Sequence, residues 1–207
     1  FPSPKRKEHH PIRILLTENK GPIMEKTIET KVRDLCIQNP VNHVRKNHAL
    51  EHATVHILEK KFPDKEFAGY SVERGFWIIG KLSIQEIQEA ADAAFARLSH
   101  GEKDLAIHPG CGTNLATASL LTSVSAVLTF IGTKSEKDRL KRFSSLLLIS
   151  SMAIQVSKPL GFAVQRNLTT DPDMNGMEIS GIDTGQIREY PYFFIRTVYK
   201  KPCEPSL

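Results

Sequence analysis

The sequence is poor in cysteine and in aromatic residues. It has 207 residues, of which three are cysteines, one is tryptophan and 7% are aromatic. Cys36, Cys111 and Cys203 are scattered and odd in number, which excludes a disulfide framework. We expect Cys36 to be a small core residue and Cys203 to be inert, whereas Cys111 has neighbours typical of a functional site. The length predicts one compact domain, with or without an appended hairpin.

A strong excess of one charge is also missing. The formal net charge is +5, and the basic residues form several short clusters with few aromatic residues among them. Nucleic-acid binding favours a basic face with aromatic stacking platforms, so we expect no nucleic-acid partner. Membrane lipid with a negative surface is the partner that such clusters suit. The sequence contains no internal repeat, no phosphate-binding glycine loop followed by Lys, and no Gly-x-Ser-x-Gly elbow.

Residues 41–61 contain neither glycine nor proline, and they include the motif HALEHATVH. Apolar residues recur at helical spacing in this segment, which predicts one helix. The helical period places His48, His52 and His56 in successive turns on one face, with Glu51 beside them. His56 is the weakest ligand candidate, because a residue two turns along drifts by about 80° from the first.

The chemistry that suits this arrangement is metal binding. Two imidazoles at i and i+4 can hold one zinc ion, and a neighbouring carboxylate can take a proton from water. The order His48-x-x-Glu51-His52 is the inverted form of the common metalloprotease motif. We therefore predict His48 and His52 as metal ligands, zinc as the cofactor and Glu51 as the catalytic base. The alternative is that the histidines line a polar groove or face water without a metal.

The turn from His108 to Asn114, read as HPGCGTN, supplies further candidate ligands. His108 and Cys111 are both suitable for zinc, and the glycines let the backbone approach another element closely. Either residue would complete three protein ligands with one open position, whereas both together would form a closed structural zinc site. The alternative is a helix-entry turn capped by Thr113 or Asn114, and both interpretations can hold together.

The rest of the chain predicts an α+β fold in which helices pack on a small antiparallel sheet. Aromatic and β-branched residues predict a hairpin of two strands, and Ser83 with Glu86 forms the capping box of a helix. Further strands are predicted at 105–107, 177–182 and 192–198, the last two extending the hairpin into a sheet. The predicted units are a flexible arm (1–21), an α+β domain that begins with a helix at 22–38 and contains the HxxEH helix (22–114), an apolar helical hairpin (115–165) and C-terminal strands with a tail (166–207).

Residues 115–132 form the longest apolar run and carry no charge. A run of about 18 residues just reaches the length that spans a bilayer, and its Ser and Thr residues are typical of packed membrane helices. A second run follows a basic loop and is interrupted by Gln155, Lys158 and Pro159, so it is the weaker span. We predict a two-span membrane hairpin whose basic tip favours the cytoplasm. The alternative is a pair of buried helices in a soluble domain.

Several of these motifs resemble a family of uncharacterised, largely cyanobacterial proteins defined as a domain of unknown function. The resemblance covers the chain from about residue 42 onward. It rests on the sequences HALEHAT, ERGF, GE with LAIHP, CGTNL, and QR with LTT, which lie between His48 and Thr170. The resemblance implies a paired apolar segment after the CGTN turn, and it implies no reaction.

Two functions remain open from the sequence. The first is a membrane-associated, zinc-dependent hydrolase or peptidase that uses Glu51 as general base. The second is a non-catalytic, membrane-anchored subunit with a structural His/Cys site, which would assemble with a protein partner or with a second copy of itself. The chain begins at Phe1 rather than Met, so we expect a processed or trimmed product.

Overall fold

The computed structural model describes residues 40–199. The predicted arm, the helix at 22–38, Cys36, Cys203 and the tail from residue 200 lie outside these residues. In chain order the described elements are α1 (Pro40–Lys61), β1 (Phe67–Val72), β2 (Gly75–Gly80), α2 (Ile84–Ser99), a short 3₁₀ helix (Lys103–Ala106), α3 (Gly112–Phe130), α4 (Glu136–Val164), one π-helical turn (Gln165–Thr169), β3 (Met177–Ile187) and β4 (Tyr190–Tyr199).

The four strands form one antiparallel sheet in the order β1-β2-β4-β3. The hairpin β1–β2 and the C-terminal hairpin β3–β4 are therefore joined through β2 and β4, with Phe76 opposite Ile195. The fold class is α+β, and the predicted extension of the first hairpin by two C-terminal strands is confirmed.

One hydrophobic core lies between the inner face of the sheet and helices α1 and α2. The sheet contributes Phe76 and Ile195, and α1 contributes Leu50, all three fully buried. Helix α2 begins at the predicted capping box, in which Ser83 and Glu86 exchange hydrogen bonds between side chain and backbone. Its alanine-rich inner face lets the two helices pack closely on the sheet.

Helices α3 and α4 pack on each other as a long antiparallel pair. Both are long and apolar enough to cross a bilayer, by length and composition. In the most apolar 18-residue stretch of each helix, only 17% and 11% of the residues are buried. Their large apolar side chains are mostly exposed, as for Leu120 and Leu148. The residues buried at the contact are small, namely Ser125, Thr129, Ser157 and Gly161.

One local prediction from the sequence is wrong, and one helix is more continuous than its composition suggests. The predicted strand at 105–107 falls in and just after the short 3₁₀ helix. The backbone carbonyls of Ala106 and Ile107 bond to the side chains of His52 and His56 on α1, and not to a neighbouring strand. The second apolar run is one continuous helix despite Pro159, which lies inside α4. Residues on both sides of Pro159 have helical neighbours on α3 to pack against, and this packing outweighs the missing backbone donor.

Candidate metal centre

His48 and His52 lie on one face of α1, and each is oriented by a backbone carbonyl. The Nδ1 atom of His48 is 3.0 Å from the carbonyl oxygen of Thr169, and Nδ1 of His52 is 2.7 Å from that of Ala106. A carbonyl oxygen can only accept a hydrogen bond, so each Nδ1 carries the proton. Each Nε2 therefore keeps its lone pair, which is the form in which imidazole binds a metal.

The thiol of Cys111 completes a compact group with these two histidines. Its Sγ lies 3.3 Å from Nε2 of His48, and the ligand atoms of His48, His52 and Cys111 all lie within 4.8 Å of one another. Tetrahedral zinc separates its nitrogen and sulfur ligands by roughly 3.6 Å, from bond lengths of about 2.0 and 2.3 Å. The three side chains therefore have the spacing of a first coordination shell.

Protonation favours the ligand forms of two of these residues. Burial lowers the pKa of His52 below its ordinary value, although its interactions with Cys111 and Ala106 oppose this. Burial alone raises the pKa of Cys111, but interactions with His52 and Thr113 outweigh it and hold that pKa below its ordinary value. A neutral imidazole and a readily ionised thiol are what metal binding requires.

The Cys111 turn is fixed by the two apolar helices. Cys111 caps the N-terminus of α3 by accepting a hydrogen bond from the Thr113 backbone amide. The fully buried Gln165 side chain accepts from the backbone amide of His108 and donates to its carbonyl and to Asn114 Oδ1. The π-helical turn that begins at Gln165 then carries the Thr169 carbonyl to His48. The geometry of the site thus depends on the N-terminus of α3 and the C-terminus of α4, which lie at the same end of the pair.

Glu51 is buried beside the three side chains, with 7% of its surface exposed. Its carboxylate accepts a hydrogen bond from the Ser71 hydroxyl and lies against Gly69, where a Cβ atom would be 2.8 Å from Glu51 Cδ. Burial raises the pKa of Glu51 above its ordinary value, and Ser71 and His48 only partly offset that effect. A carboxylate with a raised pKa is suited to accept and return a proton near neutral pH.

His108 lies outside this group. Its Nε2 contacts a carboxylate oxygen of Glu59 at 3.0 Å, and its Nδ1 accepts the Gly110 amide at 3.1 Å. Both ring nitrogens are therefore engaged. His56 turns its Nε2 to the Ile107 carbonyl and joins Glu59 and His108 in a second cluster with metal-ligand spacing. That cluster is a weaker metal site, because a metal at His108 Nε2 would compete with its proton.

A cavity of about 930 Å³ borders the first group of ligands. It is lined by α1, by successive residues of β1, by the turn at 108–113 and by Leu168 and Thr169. His48, His52, Cys111 and Glu51 all face this cavity. The candidate centre therefore has space beside it for a fourth ligand and for a substrate.

The sequence identified His48, His52, Cys111 and Glu51, and the structure brings these four together. It places His108 and His56 in the neighbouring cluster, so the three histidines on one face of α1 are divided between two groups of possible ligands. Sequence reasoning missed Glu59 and Ser71. Glu59 lies three residues after His56 on the same helix, so helical spacing would have found it. Nothing local marks Ser71, because its role arises from the sheet packing on α1.

Two comparisons with known proteins identify the family. An uncharacterized protein of Picosynechococcus sp. is 31% identical over 141 residues, which cover 64% of this chain and 68% of that protein. No solved structure matches. A family described as "Domain of unknown function (DUF6391)" matches residues 43–182, which include every residue of the candidate centre. The chain belongs to this family.

Proposed function

We propose that this protein is a membrane-associated, metal-dependent hydrolase in which His48, His52 and Cys111 hold zinc and Glu51 is the general base. The observation that carries the proposal is the orientation of the two imidazoles. Both Nδ1 atoms face backbone carbonyls, which leaves both Nε2 lone pairs available, and the Nε2 of His48 lies 3.3 Å from the Cys111 thiol. Histidines that bind metals are commonly held in this way by a hydrogen bond from the other ring nitrogen.

The donor set and its surroundings suit catalysis more than a closed structural site. Two imidazoles and one thiolate are suitable ligands for zinc, and three protein ligands leave one position open toward the cavity. The metal, when bound, supplies a Lewis acid that polarises a substrate carbonyl. Glu51 accepts a proton from the attacking water and returns it to the leaving group, while Ser71 fixes the position of its carboxylate.

The α3–α4 pair is proposed as a two-span membrane anchor. Support comes from the exposure of its apolar side chains and from the small polar residues at its contact. Five basic residues between Lys134 and Arg142 lie at the tip, which favours a cytoplasmic position for the tip. The candidate centre would then face the opposite side of the membrane, close to its surface.

A second candidate function is a non-catalytic, membrane-anchored subunit with a structural metal. The observation that favours it is the hydrogen bond from Ser71 to Glu51, because a buried, satisfied carboxylate can be purely structural. In this function the neighbouring cavity would receive a segment of a protein partner. The two functions differ in whether Glu51 is needed for turnover.

Metal content tests the binding part of the proposal. We expect detergent-extracted protein to contain close to one zinc per chain by elemental analysis. His48→Ala/His52→Ala should contain almost none, because a single thiolate cannot hold the ion. His100→Ala is the matched control, since the exposed His100 bonds to the Ala96 carbonyl near the end of α2 and should leave the metal in place. Equal metal content in the wild type and the double variant would contradict the site.

The Glu51→Gln variant tests the catalytic part. We expect it to retain zinc and to hydrolyse fluorescein-labelled casein and 4-nitrophenyl acetate about 10² to 10⁴ times more slowly, the usual contribution of a general base. Zinc retention shows that the fold and the ligands are intact. Undiminished turnover by Glu51→Gln, or no turnover by the zinc-loaded wild type, would favour the non-catalytic subunit.

A further inference from the structure

Strand β1 lies at one edge of the sheet. It pairs with β2 on one side, and within residues 40–199 no strand pairs with its other side. The backbone amides and carbonyls of an edge strand can pair with another extended chain. Whether they can do so here depends on which residues of β1 direct these groups outward.

The sheet register identifies those residues. The Thr197 backbone amide donates to the Arg74 carbonyl, so the alternation of an antiparallel pair makes Phe76 bond to β4 and Trp77 bond to β1. Trp77 is opposite Tyr70, so Tyr70 uses its backbone groups within the sheet. The intervening residues Gly69 and Ser71, and Phe67 before them, direct their amides and carbonyls away from β2.

This outward edge borders the cavity of the candidate centre. Residues 67–71 line the cavity without a gap, and the Cys111 turn lines it too. Helix α1 runs antiparallel to β1, with Asn47 bonded to the Val72 carbonyl toward one end and Glu59 lining the cavity toward the other. Six residues of strand extend about 20 Å, so the cavity follows an elongated backbone edge.

Glu51 stands beside the middle of this edge. Its carboxylate contacts Gly69 and accepts the hydroxyl proton of Ser71. A chain that lies along β1 therefore passes close to the proposed general base, and the ligands His48 and Cys111 line the same cavity.

We propose that the substrate is a polypeptide in extended conformation, bound by adding to the edge of β1 that no strand within residues 40–199 occupies, so that one of its carbonyl groups lies between Glu51 and the metal ligands. The proposal rests on the proposed function, because it names the substrate class of the same site. Only another extended backbone repeats donors and acceptors at the spacing of a strand, so the edge selects a polypeptide over a lipid or a sugar.

Another part of the cavity lining indicates which kind of polypeptide would bind. This part includes Gly112, Thr113, Leu168 and Thr169, which lie at the end of the two apolar helices nearest the site. A segment in the cavity would therefore lie next to the membrane surface if the hairpin is inserted. The substrate class is thus an extended segment close to a membrane, such as the stretch that adjoins a transmembrane helix of another protein.

The test uses zinc-loaded, full-length protein in detergent micelles and two probes. One probe is acetohydroxamate, and the other is trialanine carrying the same hydroxamate group. Both can bind an open zinc position, but only the peptide has a backbone to pair with β1. We expect calorimetry to give at least tenfold tighter binding for the peptide probe. N-methylation of one peptide amide of the probe should weaken binding more than N-methylation of the next amide, because alternate amides face the edge.

Hydrogen exchange at single-residue resolution locates the bound peptide. The peptide probe should slow exchange of the amides of Gly69 and Ser71 at least tenfold. The amides of Ala68 and Tyr70 already bond to β2 and should not change. The opposite edge of the sheet, β3, is the internal control and should also remain unchanged.

The outcomes separate this inference from the function on which it rests. If neither hydroxamate binds, there is no open metal position, and both proposals are overturned. If both probes bind equally and the β1 amides are unaffected, the metal site stands and the polypeptide edge is overturned. The same conclusion follows if Gly69 and Ser71 are protected without a probe and lose protection on dilution, because a second copy of the chain then occupies the edge.

Discussion

The α+β region and the α3–α4 pair sort their side chains by opposite rules. In the α+β region Leu50 and Phe76 have no exposed surface. In the helical pair Leu148 is 64% exposed, whereas Ser125 is only 6% exposed. The first pattern removes apolar surface from water, and the second suits helices that pack through small residues within hydrocarbon. One chain therefore contains two regions that sort their side chains in opposite ways, and the candidate centre lies where they join.

Truncation of a leucine in each region should sharpen this contrast most strongly. We expect Leu50→Ala to lower the free energy of unfolding by about 2–5 kcal/mol, because it opens a cavity in the core. Leu148→Ala should change it by about 0.5 kcal/mol or less, since its side chain has few protein contacts to lose. Chemical unfolding in detergent micelles measures both. A large loss of stability for Leu148→Ala would mean that a protein surface, and not lipid, covers that face.

A charge on the apolar face should distinguish lipid from water around it. We expect Leu148→Arg to reduce membrane integration by about 2.5–3.5 kcal/mol, the penalty for arginine near the centre of a spanning helix. Leu140→Arg is the matched control, because Leu140 is exposed among the basic residues at the tip and should have little effect. Extraction of membranes with alkaline carbonate gives the integrated fraction. An unchanged integrated fraction for Leu148→Arg would mean that lipid does not surround this face of α4.

A methyl group at Gly69 tests how tightly the α+β region packs around the general base. Gly69→Ala places a Cβ atom 2.8 Å from Glu51 Cδ, so the carboxylate must move. We expect a loss of about 1–3 kcal/mol in unfolding free energy, as for other overpacked sites, together with reduced hydrolysis. Gly112→Ala at the start of α3 meets no atom within 4 Å and should be tolerated. Full activity of Gly69→Ala would mean that the position of Glu51 is not critical.

The smallest predicted effect concerns pH and the α+β region alone. The pKa of His52 is lowered in the folded state, so the metal-free protein should lose stability as pH falls from 6.5 through the folded-state pKa. Glu51 acts in the opposite sense, because its raised pKa reduces stability as pH rises above 4.5. Urea unfolding with a chelator present, from pH 4 to pH 8, measures the profile. His52→Gln should remove the loss of stability that the wild type shows as pH falls below 6.5. If the variant loses stability in acid as the wild type does, that loss does not come from His52.

Much of the fold was predictable because local signals agree with the tertiary structure. The HALEHATVH segment forms the predicted helix, and the box of Ser83 and Glu86 starts α2 as expected. Residues 105–107 were misassigned as a strand, because a short apolar stretch has no period that separates a strand from a turn. The continuity of α4 through Pro159 was likewise hidden, since it depends on packing against α3.

The sequence predicted the side chains of the candidate centre, but it did not predict the backbone carbonyls that orient them. Helical spacing brought His48 and His52 to one face, and the glycines beside Cys111 indicated a turn that approaches them. The carbonyls of Ala106 and Thr169, which set the protonated nitrogen of each imidazole, have no sequence signature. Every residue has such a carbonyl, and only the fold determines which of them faces a histidine.

The apolar helical pair leaves and rejoins the candidate site at almost the same point. The chain leaves at Thr113 and returns at Thr169, and these two hydroxyls lie 3.5 Å apart after 56 residues. The two helices are antiparallel, so adding the same number of residues to each would lengthen the pair and leave these two ends together. If the pair spans a membrane, its length could therefore match a thicker or thinner bilayer without changing the distances among His48, His52 and Cys111.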